Sequence, residues 1–353
     1  MSLKKTGTKN IVKVNLQQSL KPILIFSLLF LWFFSYSQNP YWQQHLDYTI
    51  DISLNDKDNS LTGFEKIIYT NNSPDTLTYI WFHLWPNAYK NDRTAFSEQK
   101  LRNGYTNFYF SDEKERGYIN QLEFKIDNAT AVLEEDSTHI DIIKVLLPQP
   151  LAPQRSATIT TPFHVKLPYN FSRGGYVGHT YQITQWYPKP AVYDSKGWHP
   201  MPYLDQGEFY SEYANWKVNI TLPENYIVAA SGNCMNEDEL QKLKEIGNEK
   251  PSAQKNYTWF QSNNKKAAVP ETIMPASSNK NKTLTYTLNN AHDFAWFASK
   301  LFVVQYDTIQ ASPQGVPGTN NTIDVFSYYH PWKADEWNNS ISYIKDALKF
   351  YSA

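Results

Sequence analysis

Residues 182–223 read QITQWYPKPAVYDSKGWHPMPYLDQGEFYSEYANWKVNITLP, and two unlike halves meet within them. The first crowds Trp186, Tyr187, Tyr193, Trp198 and Tyr203 among Pro188, Pro190, Pro200 and Pro202. Proline removes a backbone donor and fixes φ, which excludes a helix or a central strand, and rings this large exclude a flexible linker. An ordered loop packed on a sheet is expected. In the second half Trp216, Val218, Ile220 and Leu222 alternate with Lys217, Asn219 and Thr221, the period of a strand with one buried face and one wet face. Pro223 closes it.

The same alternation recurs outward from this stretch. Tyr48, Ile50, Ile52 and Leu54 alternate with Thr49, Asp51 and Ser53, and residues 55–59 then supply turn chemistry. Further strands are expected over residues 61–69, 77–84, 119–126, 131–133, 139–146, 157–165, 176–185 and 226–230, with Pro148, Pro150 and Pro153 excluding regular structure between two of them. Residues 90–118 have no sustained period and suit a long surface excursion. Residues 235–282 are poor in apolar side chains, with a short helix expected over 237–246 and a mobile hairpin or insertion after it. The reading is a mainly β fold: a saddle-like antiparallel β-sandwich domain. Beyond a Pro- and Gly-containing segment at 312–321 comes a strand at 323–328. A helix follows from residue 333, because Trp337, Ile341, Ile344, Leu348 and Tyr351 recur on one face.

The chain has 353 residues, 41% apolar and 16% aromatic, enough for a large packed core. Lys and Arg total 33 against 34 Asp and Glu, so no basic field is present to attract nucleic acid. Lys4, Lys5, Lys9, Lys13 and Lys21 precede twelve residues, 23–34, of which only Ser27 is polar. Ser35, Tyr36 and Ser37 follow with small residues where a signal peptidase reads, so residues 1–37 are expected to be a secretory signal peptide. Twelve residues at about 1.5 Å each fall well short of a hydrocarbon core about 30 Å thick, and no membrane attachment beyond this signal is expected. The destination is then the periplasm or the exterior. Cys234, the single cysteine, can neither close an intramolecular disulfide nor build a thiolate metal site alone.

Several phrases carry a resemblance: QWYPKPAVYD (185–194), GWHPMPYLDQGEFYSEY (197–213), VAASG (228–232), IWFHLWPNAY (80–89) and AHDFAWFA (291–298). Together they resemble the N-terminal domain of the M1-family, or gluzincin, zinc metallopeptidases of the aminopeptidase N kind, over most of the chain after residue 40. The resemblance implies an N-terminal β domain over 38–313 and the start of a thermolysin-like, α-rich catalytic domain over 314–353, truncated before its catalytic motif. It implies zinc in the complete protein and a peptide as substrate. It also implies that the β domain lends a glutamine from the segment YQITQWYP to the wall of the substrate cleft, which makes Gln182 and Gln185 the candidate substrate-binding residues. An amide suits that place, since it accepts from an ammonium group while donating elsewhere.

The catalytic parts of such an enzyme are not in this sequence. A gluzincin site needs two histidines at i and i+4 with a glutamate between them, and no two of the eight histidines here are closer than 15 residues. No catalytic or metal-binding residue is therefore expected in the chain, and by itself it is expected to be inactive. G-x-S-x-G and P-loop patterns are absent as well. Asp205, Glu208 and Glu212 make the nearest acid cluster; His179 and His199 read as structural; His292 and Asp293 read as turn-orienting residues. The alternative reading is a non-catalytic β-sandwich module that binds peptide or carbohydrate through its aromatic loops.

Overall fold

A computed structural model describes residues 41–255, 274–311 and 321–351. Contacts divide the chain into residues 1–42 and 43–353, and the second unit is described below. The expected signal peptide, part of the expected insertion and the expected boundary at 313/314 lie outside the described residues.

Thirteen strands carry the architecture: β1 (His45–Asn55), β2 (Ser60–Thr70), β3 (Leu77–His83), β4 (Ile142–Leu151), β5 (Ser156–Lys166), β6 (Gly175–Val177), β7 (Thr180–Ile183), β8 (Ala214–Pro223), β9 (Ile227–Ala230), β10 (Asn281–Ala291), β11 (Trp296–Ser299), β12 (Val303–Ala311) and β13 (Asn321–Tyr329). Among the described residues four α-helices accompany them: α1 (Ala95–Arg102), α2 (Glu237–Asn248), α3 (Ala334–Trp337) and α4 (Ser340–Tyr351). The large sheet runs β10-β8-β1-β2-β5 and is extended at both ends by two-residue strands. A smaller sheet runs β6-β7-β11-β9, a third is built on β3 and β4, and β12 pairs with β13 as a separate hairpin.

The periodicity explains the core. Across the large sheet Trp216, Tyr48 and Ile67 stand in one row and Val218, Ile50 and Glu65 in the next. The apolar members of both rows are buried, and Glu65 is buried with them. Facing them, Tyr181, Ala298 and Val228 form a row of the small sheet, and all belong to one continuous apolar cluster. Gly63 sits in this layer because a Cβ there would lie 2.7 Å from both Ile52 Cδ1 and Phe163 Cζ.

Three expectations need correction. β4 runs through Pro148 and Pro150. Its neighbour on one side, Val132–Glu135, pairs only as far as Leu146, so both prolines lie where that side of β4 is open and the missing N–H is not needed. The expected mainly antiparallel pairing holds, β1 with β8 being the one parallel pair among these strands. Residues 90–118 hold α1 and build a second aromatic cluster of Trp85, Tyr89, Phe96, Phe108 and Tyr203. The C-terminal helix is two helices, α3 and α4, rather than one running from residue 333.

The QWYPKP segment is the ordered, packed loop its composition implies. Trp186, Tyr187 and Tyr203 are all buried. Among the described residues no helix is long and apolar enough to cross a membrane.

Candidate functional site

Strand β7 places the candidate glutamines. Tyr181 and Ile183 point into the core, so Thr180 and Gln182 point outward. Gln182 stands beside Phe297 of β11 in the register, and Phe297 beside Ala229 of β9. On its other side it pairs with Gly175, whose φ of +127° and close approach to the Pro168 carbonyl suit glycine alone. The Gln182 side chain is exposed, and its Oε1 accepts a hydrogen bond from Asn170 Nδ2 at 2.5 Å.

Three residues later the chain turns over. Gln185 adopts φ +54°, ending the strand and turning its amide inward. Its Nε2 donates to Asp293 Oδ2. The same carboxylate accepts from the Tyr187 hydroxyl at 2.8 Å and from the Phe294 N–H at 2.8 Å, and it pairs with the Lys189 ammonium at 2.8 Å. Trp186 Nε1 donates to the Phe294 carbonyl at 3.0 Å. One carboxylate thus ties down alternate residues 185, 187 and 189 just before β11. Burial pulls the Lys189 ammonium below the usual lysine range, with Asp293 opposing it. Burial, reinforced by Asp293, pushes the Tyr187 phenol well up.

The outer face of the small sheet is covered by the end of β13. His330 Nε2 lies 3.1 Å from Thr180 Oγ1 and 3.3 Å from Ser299 Oγ, and its ring stacks on Trp332 at 4.3 Å. Burial lowers the imidazole to about 4, so it is neutral at pH 7. Between this anchor and Gln182 a crevice of about 450 Å³ stays open, with Phe297, Phe302, Tyr328, Trp337 and Lys333 in its lining. Its size is that of a small-molecule or side-chain pocket.

The structure therefore separates the two candidates. Gln182 borders the crevice; Gln185 is committed to Asp293. Of the remaining polar residues, Asp205 faces Lys100 at 3.9 Å, Glu208 is exposed, and Glu212 is buried, which raises its carboxyl to about 7. His199 Nε2 meets Asp194 Oδ1 at 2.8 Å, and His179 Nδ1 lies 3.9 Å from Asp56 Oδ2. Cys234 is half-buried, its Sγ 3.8 Å from the Asn236 carbonyl. Among the described residues no group of three or more His, Cys, Asp or Glu side chains could hold a metal ion.

Sequence reasoning did not single out Phe297 or His330, and it gave Asp293 only a turn-orienting part. The signal for Asp293 was present: Gln185, Tyr187 and Lys189 carry polar ends at alternate positions of a segment otherwise fit only for burial, so a shared partner was required.

No known family profile matches the sequence, and no curated protein matches it. Among solved structures, a two-domain M1 zinc metallopeptidase bound to L-arginine aligns with TM-score 0.40 and 12% identity, covering 83% of this chain and 48% of that one. The M1 zinc metallopeptidase of Deinococcus radiodurans aligns with TM-score 0.40 and 12% identity over 80% of this chain and 46% of that one. A variant of it bound to a Tyr-Ser-Ala substrate gives 0.41 and 12% over 82% and 47%. The chain spans about half the length of these structures.

Proposed function

We propose that this chain is the N-terminal part of an exported M1-like zinc metallopeptidase that acts on free amino termini, and that it forms one wall of the substrate cleft. The observation that carries the reading is the position of Gln182. The segment resembling the family's glutamine-bearing strand presents that side chain on an exposed face, at the edge of an open crevice. There the Gln182 carboxamide contacts the substrate's first residue, while Gln185 supports the strand from within.

In this reading the zinc ligands, the general base and the acids that capture the amino terminus belong to sequence outside this chain, and export follows from residues 1–37. Zinc held there would activate a water for attack on the peptide carbonyl. What this chain does is bind and orient.

The test is to read the coding frame past Ala353 and assay the complete protein on aminoacyl amides. An HExxH motif, activity abolished by a chelator, and a Gln182→Ala variant with kcat/KM lowered about tenfold through KM are the expected results. A stop codon directly after Ala353, with a native mass to match, would sink the reading and leave a non-catalytic binding module in its place.

A further inference from the structure

We infer that the crevice beside Gln182 selects a large apolar or aromatic side chain over a basic one, and that Phe297 sets this choice. The inference rests on Gln182 being the contact for the substrate's first residue.

Gln182 and Phe297 are direct neighbours in the β7–β11 register and share the outer face. Side chains opposite one another on adjacent strands start about 5 Å apart. A residue whose main chain meets the Gln182 amide therefore lays its side chain over the Phe297 ring. Beyond Phe297 the walls are the rings of Phe302, Tyr328 and Trp337. Phe302 and Tyr328 are 6.1 Å apart by ring centre, and Trp337 stacks on Tyr329 at 6.4 Å, so two aromatic pairs line the wall.

Charge sharpens the choice. Among the described residues the crevice lining holds no carboxylate, and its one cation is Lys333. Glu336, outside the lining, is already paired with that ammonium at 2.6 Å. A guanidinium or ammonium entering the crevice gains a contact with a ring face, but it sheds its water beside the Lys333–Glu336 pair and meets no unengaged acid among the described lining residues. A phenylalanine or leucine side chain loses nothing on entry and gains from every apolar contact.

The experiment uses the chain as it stands, titrated with L-phenylalaninamide, L-argininamide and N-acetyl-L-phenylalaninamide and followed by ligand-observed saturation-transfer NMR. L-phenylalaninamide is expected to bind at least tenfold more tightly than L-argininamide. Phe297→Asp is expected to invert that order. Phe297→Leu, which keeps an apolar floor and guards against a folding defect, is expected to keep it. Equal or tighter binding of L-argininamide, binding of neither amide, or a preference untouched by both Phe297 variants would overturn the inference. The reading of Gln182 fails separately: N-acetylated and free phenylalaninamide would bind alike, Gln182→Ala would change neither, and the selectivity over argininamide would persist.

Discussion

Lys189 and Asp293 meet at 2.8 Å inside the protein, with the lysine side chain only 4% exposed. The Lys189 ammonium also lies 5.3 Å from the ring centres of Trp85 and Tyr187. Its one ion-pair partner among the described residues is this carboxylate, whose own side chain is 24% exposed.

Removing either partner strands the other. Lys189→Met or Asp293→Asn alone is expected to cost about 3–5 kcal/mol, whereas the double variant recovers most of the loss because no uncompensated buried charge remains. Urea unfolding of the three variants measures this. A double variant as unstable as the sum of the singles would show that the pair is not coupled.

The two glutamines should separate by stability. Gln182→Ala alters an exposed side chain and is expected to change unfolding free energy by less than about 0.5 kcal/mol. Gln185→Ala removes a donor to a carboxylate and is expected to cost about 1.5–3 kcal/mol. Equal effects in thermal or urea melts would contradict the opposed orientations of these side chains.

Three buried carboxyls, Asp141, Glu212 and Glu65, are pushed up by burial and make stability fall with rising pH. Burial raises Asp141 to about 6, although its Oδ2 accepts the Tyr203 N–H at 2.6 Å, and raises Glu212 to about 7. The folded state holds these protons more tightly than the unfolded chain, so their contribution is complete below about pH 4. It is lost as pH climbs through 6 for Asp141 and through 7 for Glu212, by on the order of 3 kcal/mol each. His83 and His330, lowered by burial to about 3 and about 4, work in the opposite direction between those values and about 6.5. The contrast with variants isolates the carboxyls: Asp141→Asn and Glu212→Gln should each gain on the wild type between pH 4 and pH 8. Parallel pH–stability curves would refute it.

Gly63→Ala drives a methyl group into the buried side chains of Ile52 and Phe163. The expected cost is about 1–3 kcal/mol, read as a lower urea midpoint at unchanged m-value. A neutral result would mean that the Ile52 and Phe163 side chains yield freely.

Much of this architecture is written locally. β1, β2 and β8 are legible because each alternates one apolar and one polar face. The aromatic, proline-broken loop is legible because such rings must be buried and such backbone cannot be regular. What local pattern cannot carry is adjacency. Nothing in residues 45–55 says that β8 lies beside β1 in parallel, or that Asp293, 108 residues after Gln185, receives its amide. Gln182 and Gln185 look equivalent in the sequence. The left-handed turn at Gln185 and a distant carboxylate distinguish them. β4 was obscured for a related reason, since two prolines break a strand only where a neighbour needs their N–H groups.

The parallel pairing of β1 with β8 also dictates an order of events. Asp47 and Asn215, 168 residues apart in the chain, hydrogen-bond across the middle of the large sheet. β1 and β2 can close as a hairpin almost as soon as they exist, but the other edge of β1 stays open until residue 223 is available. Closing so long a loop is slow compared with local pairing. As the chain emerges from the ribosome, β1 therefore keeps one unpaired edge until residue 223 is out, and the part of the core between β1 and β8 closes only then.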